Sequence, residues 1–286
     1  MAVYERGWRR YQGELTPLRW RWLVVTRYAL GDVFASRLFT AFYAVCFLPS
    51  VVGLFFIYFS HNVTLLQQLG MPPDLMEVLT SKFFMILFSW QAIPAFLVAV
   101  IVSPSLIAAD LSNNALPLYL GRPINRPEYV LGKMAVLAIL LSPMTWCMGS
   151  AIFALQSYFE GGRWWLENYR IGVAYLIGHM AWIVVVSMLT LAISAWVRYK
   201  PAARGALFAI FFILAGFARA VNLFTRTSWG DLINLVLSMN SVVMSLFGAP
   251  TPSGLPVYFN WLTLAGVTAL SVWLIDRKLR AHEVVR

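Results

Sequence analysis

Charge is scarce in this sequence. Asp, Glu, Lys and Arg make up 12% of the 286 residues, about half the share of a soluble globular domain. Apolar residues make up 60%, and the mean hydropathy is +0.72. These values exclude a water-soluble fold. No soluble core of this length hides five or six apolar runs that each approach the ~20 residues needed to cross a bilayer. Cysteine is scarce too. Cys46 and Cys147 both sit inside apolar runs, where a thiol acts as a small hydrophobe. A disulfide framework and a cysteine metal site are thereby excluded.

Catalytic patterns are also missing. There is no HExxH, no GxSxG and no pair of carboxylates within one apolar run. The three histidines, His61, His179 and His282, are far apart in the chain. A hydrolase needs its nucleophile and base together, so an intramembrane enzyme is disfavoured. "PEYVLGKM" (127–134) ends in Gly132-Lys133, but Pro127 and Met134 stand where a phosphate-binding loop needs Gly and Ser or Thr. Nucleotide energy, where used, must come from another polypeptide. Ionisable residues inside the apolar runs are few, which argues against an ion or proton pathway. His179 is the clearest of them, and the bland expectation is a histidine bonded to a neighbouring helix. Arg219 and Lys82 lie near span ends and can snorkel outward.

What remains is an all-α integral membrane protein. The apolar runs predict six spans, at about 38–60, 83–103, 134–158, 171–197, 205–225 and 257–275, within a transmembrane domain of 38–275. Pro49, Pro94 and Pro143 fall inside spans and predict kinks. With the N-terminus inside, the inner segments hold 17 Lys and Arg against 5 outside, as the positive-inside rule requires. This accounts for the formal charge of +10 without nucleic acid. Both termini are then cytoplasmic, including the tail 276–286, and the location is a cell or inner membrane. Residues 231–248 are apolar but short and broken by Asn and Ser. A seventh span there would put the basic tail outside, so a re-entrant segment is expected. No apolar signal peptide opens the chain. Residues 1–37 read instead as a cytoplasmic lead-in. Within it, "LRWRWLVVTRYALGDVF" mixes Trp20, Trp22 and Tyr28 with Arg19, Arg21 and Arg27. That mixture suits an interfacial helix starting near Thr16-Pro17.

The polar block "DLSNNALPLYLGRPINRPEYVLGK" (110–133) stands out between the second and third spans. On this topology 104–133 is the first cytoplasmic loop. Its Arg-Pro steps are stiff, and "PEYVLGKM" reads as a helix start with Pro127 early and Glu128 at the positive end of the helix dipole. Such an element can pass a push from a docked partner into the bilayer.

At these residues the chain resembles the ABC-2 type permeases, the membrane subunits of ATP-binding-cassette transporters. Bacterial members carry an acidic residue, a short helix ending in "LYL" or "LLL", a small residue, "RP", a polar pair and a hydrophobic run ending in "GK". Here these are Asp110, "ALPLYL", Gly121, Arg122-Pro123, Asn125-Arg126, Tyr129-Val130-Leu131 and Gly132-Lys133. The resemblance covers about a tenth of the chain. Asn113-Asn114 replaces the Gly-Thr pair of many members, and Pro117 falls within the coupling helix. The six spans, the amphipathic lead-in and the broken stretch before the last span are also similar to that family. The resemblance implies a type V exporter-like architecture and a loop that couples to an ATPase subunit through Asp110, Leu116, Tyr119, Leu120, Arg122, Pro123, Arg126 and Tyr129. It implies two partners besides the lipid bilayer: an ABC ATPase subunit that carries ATP and magnesium, and a second permease chain, identical or similar. No cofactor is expected in this chain. Function would be export, with the cargo hydrophobic or amphipathic. The alternatives are a membrane scaffold or assembly subunit, and a transporter driven by an ion gradient.

Overall fold

The computed structural model describes residues 17, 20–62, 81–113, 115 and 124–280. Among them there is no strand. Six helices are long and apolar enough to cross a membrane: Arg37–Ser60, Ser81–Ser112, Arg126–Glu160, Gly162–Trp196, Lys200–Thr225 and Val257–Arg280. The chain is therefore an all-helical multi-pass membrane protein. The expected spans each fall within one of these helices or within a residue of its end, but several helices run further. The second extends past 103 to Ser112, and the third begins at Arg126 rather than 134. Part of the segment assigned to a loop is thus helix, Ala108–Ser112 on one side and, as the helix start at "PEYVLGKM" implied, from Arg126 on the other.

Burial sorts the spans. In their most apolar windows the second, third and fourth are 56%, 50% and 56% buried, against 22%, 17% and 22% for the first, fifth and sixth. The second to fourth spans form the centre, and the other three pack around them. The proline sites differ from one another. The first span breaks into Arg37–Val45 and Leu48–Ser60, with Pro49 in the first turn of the second piece. Pro94 sits inside a continuous helix. Pro143 opens a π-turn, Pro143–Cys147.

Side chains of the first span serve the backbone beside that π-turn. Tyr43 Oη donates to the Leu140 carbonyl at 2.7 Å, and Ser50 Oγ lies 3.4 Å from the Met144 carbonyl. Ser50 in turn accepts from Gln91 Nε2 at 2.7 Å, and Gln91 Oε1 accepts from the Tyr175 hydroxyl. Four spans are joined near mid-length by this chain of polar groups, in which Ser50, Gln91 and Tyr175 are buried. Gln91→Leu should leave both Ser50 and Tyr175 short of a partner in an apolar interior. Hydrogen bonds at this depth contribute about 0.6–2 kcal/mol each. The expected outcome is a lower thermal midpoint in detergent, with Ser50→Ala producing a smaller drop in the same direction.

The N-terminal helix is Arg21–Phe34, starting later than Thr16-Pro17; the Trp20 amide bonds the Pro17 carbonyl in a turn. Its buried face is Val25, Thr26 and Ala29, spaced for one side of a helix. Arg27 and Tyr28 point away from the protein. The buried face crosses the third span at Gly132. There a Cβ would meet the Trp22 carbonyl oxygen at 2.9 Å and Val25 Cβ at 3.2 Å, so glycine permits the approach. Thr26 Oγ1 donates to the Gly132 carbonyl at 2.9 Å and fixes the crossing.

A short helix, Leu235–Leu246, lies between the fifth and sixth spans. Twelve residues rise about 18 Å, well short of the ~30 Å hydrocarbon layer. The segment leaves and returns at one carboxylate. Asp231 Oδ1 accepts from Asn222 at the end of the fifth span. Its Oδ2 accepts from Ser253 Oγ and the Gly254 amide just before the sixth.

Candidate functional site

The polar block is best followed from its two ends. The second span ends in a 3-10 turn, Ser103–Ser105, and a short helix, Ala108–Ser112. Ser194 Oγ, near the end of the fourth span, accepts from the amides of Ile107 and Ala108 at 3.3 and 3.1 Å. One hydroxyl thus satisfies two amides that a helix start leaves free. This sets the position of Asp110.

The far end of the block starts the third span. Asn125 caps it, with the Glu128 carboxylate reaching back to the Asn125 amide at 2.9 Å in a capping box. Pro127 occupies the first turn. The helix start expected at "PEYVLGKM" is observed, with the helix beginning at Arg126, one residue before the motif. Tyr129 and Lys133 are one turn apart, so both face the same side. That side meets Asp110. Asp110 Oδ2 accepts from the Tyr129 hydroxyl at 2.7 Å and pairs with Lys133 Nζ at 2.7 Å. Lys133 Nζ also lies 5.6 Å from the Tyr129 ring centroid. The side chains of Lys133 and Asp110 are 6% and 15% exposed, and Tyr129 is wholly buried. A charged pair this dry is worth little net on its own, but it makes the loss of either partner costly.

Arg126 faces another way. Its guanidinium lies 3.6 Å from Asp276, which also binds Arg280 at 2.6 Å. The third and sixth spans are joined there. The Trp196 indole donates to the Leu274 carbonyl at 3.1 Å and joins the fourth to the sixth. At this end of the bundle, the N-terminal helix and the second, third, fourth and sixth spans are therefore fastened to one another by polar contacts.

Of the residues singled out in the sequence, Asp110 and Tyr129 come together here, in the base of the block, while Arg126 turns to Asp276. Asp110 and Tyr129 face inward, so they hold the base rather than present a surface. Leu116, Tyr119, Leu120, Arg122 and Pro123 lie outside the described residues, as does Pro117. Sequence reasoning placed Gly132 and Lys133 in the family pattern but not among the coupling residues, and it left out Ser194 and Asp276. Lys133 had a usable signal in its one-turn spacing from Tyr129. Ser194, more than sixty residues away, had none.

His179 sits apart from this site. It is fully buried, with Nδ1 3.2 Å from the Tyr175 carbonyl of its own helix. Its ring lies 3.8 Å from that of Phe88. The neighbouring-helix hydrogen bond expected for it is absent among the described residues, and Nε2 has no partner there. No group of three or more His, Cys, Asp or Glu able to hold a metal occurs among the described residues.

No protein-family model matches the chain, and no curated protein matches it in sequence.

Proposed function

We propose that the chain is the permease subunit of an ABC-2 type transporter, exporting its cargo with energy from a separate ATPase. In this reading the block's outer part, with Leu116, Tyr119, Leu120, Arg122 and Pro123, docks on the ATPase. The bundle end that carries it faces the cytoplasm, and two permease chains pair to form the pathway. The segment 231–248 is re-entrant from the opposite face. ATP closes the ATPase dimer, and the docked block carries that movement into the second and third spans. A ligand shifts such an equilibrium only through different affinity for its two states, so the joint must not slip.

The observation that carries the reading is the buried contact of Asp110 with Lys133 and Tyr129. It fastens both ends of the polar block to the spans that the movement must reach. A loop that served only to connect two helices has no need of a buried ion pair across its base.

Purification from native membranes in mild detergent tests this. A soluble subunit with a Walker-A motif and ATPase activity should accompany the chain in near-equal amount. Arg122→Glu should lower substrate-stimulated ATP hydrolysis several-fold while both subunits stay assembled. A chain that purifies intact, after crosslinking in the membrane, with other partners and no ATPase would be a scaffold subunit instead.

A further inference from the structure

A cleft of about 460 Å³ opens at mid-length of the bundle, between the second, fourth and fifth spans and the short helix Leu235–Leu246. Its size lies within the usual range for small-molecule sites. Six aromatic rings line it: Phe88, Phe96, Trp182, Phe208, Phe211 and Phe212. They are arranged, not merely present. Phe96 lies 4.7 Å from Phe211 and meets Phe208 edge-on at 5.8 Å, and Phe208 stacks on Phe212 at 5.9 Å.

The backbone behind this wall is irregular. Residues Ala209–Ile213 form a π-turn, and Phe208, Phe211 and Phe212, three and four residues apart, share the face that lines the cleft. Turns of this kind are rare and concentrate at functional sites. Unlike Pro143–Cys147, this one contains no proline to account for it.

The lining contains no charged residue. Apart from the Trp182 indole, its polar side chains are Ser89 and Asn240. Ser89 is satisfied by the Met85 carbonyl of its own helix at 3.0 Å. The Asn240 amide makes no hydrogen bond among the described residues. The Asn240 side chain is half-buried and borders the cleft, so an occupant can supply the hydrogen-bond partner that the apolar surroundings withhold. A charged occupant is disfavoured for the same reason, with greater force. Flat apolar rings suit the aromatic wall, since offset-stacked and edge-on contacts both add to area burial.

We infer that this cleft is a binding site for a neutral amphiphile with a flat, fused-ring apolar body and one hydrogen-bonding group, held by Asn240. The site belongs to the membrane domain itself and stands whether or not an ATPase drives the chain.

The test uses the full chain in phosphatidylcholine nanodiscs and a diazirine-bearing fused-ring monoalcohol as the probe. Crosslinks mapped by mass spectrometry should fall on peptides containing Phe208–Phe212 and Leu235–Val243. They should saturate with probe and be competed by the unlabelled alcohol. Asn240→Leu should raise the half-saturating concentration by about five- to thirtyfold, the equivalent of one hydrogen bond of 1–2 kcal/mol at this depth. Ala92→Trp, which fills the cleft, should abolish saturable labelling. Asn240→Leu keeps the branched shape of the side chain while removing its hydrogen-bonding groups, and keeps the test decisive if Ala92→Trp fails to assemble. Labelling that never saturates, spreads evenly over lipid-facing helices and ignores Asn240→Leu would overturn the proposal. The cleft would then hold ordinary acyl chains.

Discussion

Lys133→Met is expected to destabilise the protein by about 3–5 kcal/mol, the usual result of stripping one partner from a buried ion pair. The reason lies in what stays behind. Asp110 would keep a charge that is mostly shielded from water, with the Tyr129 hydroxyl as its remaining partner among the contacts described above. The methionine has nearly the volume of lysine, so packing changes little and the effect isolates the charge. For a chain of this size the loss corresponds to a fall in thermal midpoint on the order of 10 °C. Fluorescence-detected size exclusion after heating would read it. A fall of a degree or two would show that water reaches Asp110 freely, and the proposed joint would lose its physical basis.

A triple variant separates stability from transmission. Asp110→Leu, Tyr129→Phe and Lys133→Met together remove both charges and the hydroxyl that would otherwise be stranded. Replacing a buried pair by apolar groups of similar volume is often neutral or stabilising. The triple variant should therefore recover most of the midpoint lost in Lys133→Met. If the pair serves the joint, recovery of stability should not restore ATP hydrolysis coupled to cargo. An apolar contact can slide where a directed ion pair cannot. Recovery of both together would reduce the pair to a structural fastening.

The spans were legible because lipid imposes one strong rule: about 20 apolar residues in a row, with charges outside. Their ends were less legible, since that rule treats every charge as a helix terminator. Asp110 and Lys133 break it, since both lie in helix and meet each other, with helix running past 103 on one side and starting at Arg126 on the other. The spacing of Tyr129 and Lys133 showed that they share a face. Nothing in the chain showed that Asp110, on a different helix, would face them. The cleft was even less visible. The spacing of Phe208, Phe211 and Phe212 puts them on one helix face, but nothing in "ALFAIFFIL" announces the π-turn behind them or the helices that close the cleft around them. The crossing of Thr26 on Gly132 also gave no signal, because a crossing of two helices is a property of both.

Gly149→Ala is the second change expected to be severe, although it adds one methyl group. Gly149 lies in the third span against the ring of Tyr175, so closely that a Cβ would fall within the ring itself. Tyr175 is held by its neighbours, although a cavity opens beside it and Gly149. It is 1% exposed, its ring meets Phe84, Phe88 and Phe247 edge-on, and its hydroxyl is bonded to Gln91. Either the third and fourth spans move apart or the tyrosine leaves its rotamer and releases Gln91. Overpacking of this kind costs about 1–3 kcal/mol. A lost intramembrane hydrogen bond adds about another 0.6–2 kcal/mol. Helix propensity points the other way, since alanine is favoured over glycine by ~1 kcal/mol, so a net loss would identify the clash as the dominant effect. Tyr175→Phe alone removes the hydroxyl and should cost no more than the hydrogen bond. Tyr175→Leu frees the space that the new methyl needs. Combined with Gly149→Ala, it should lower the midpoint by less than the sum of the two single changes, a coupling that a double-mutant cycle reads directly. Strict additivity would mean that the helices pass each other with room to spare at this level. The polar chain through Ser50, Gln91 and Tyr175 would then not depend on that close approach.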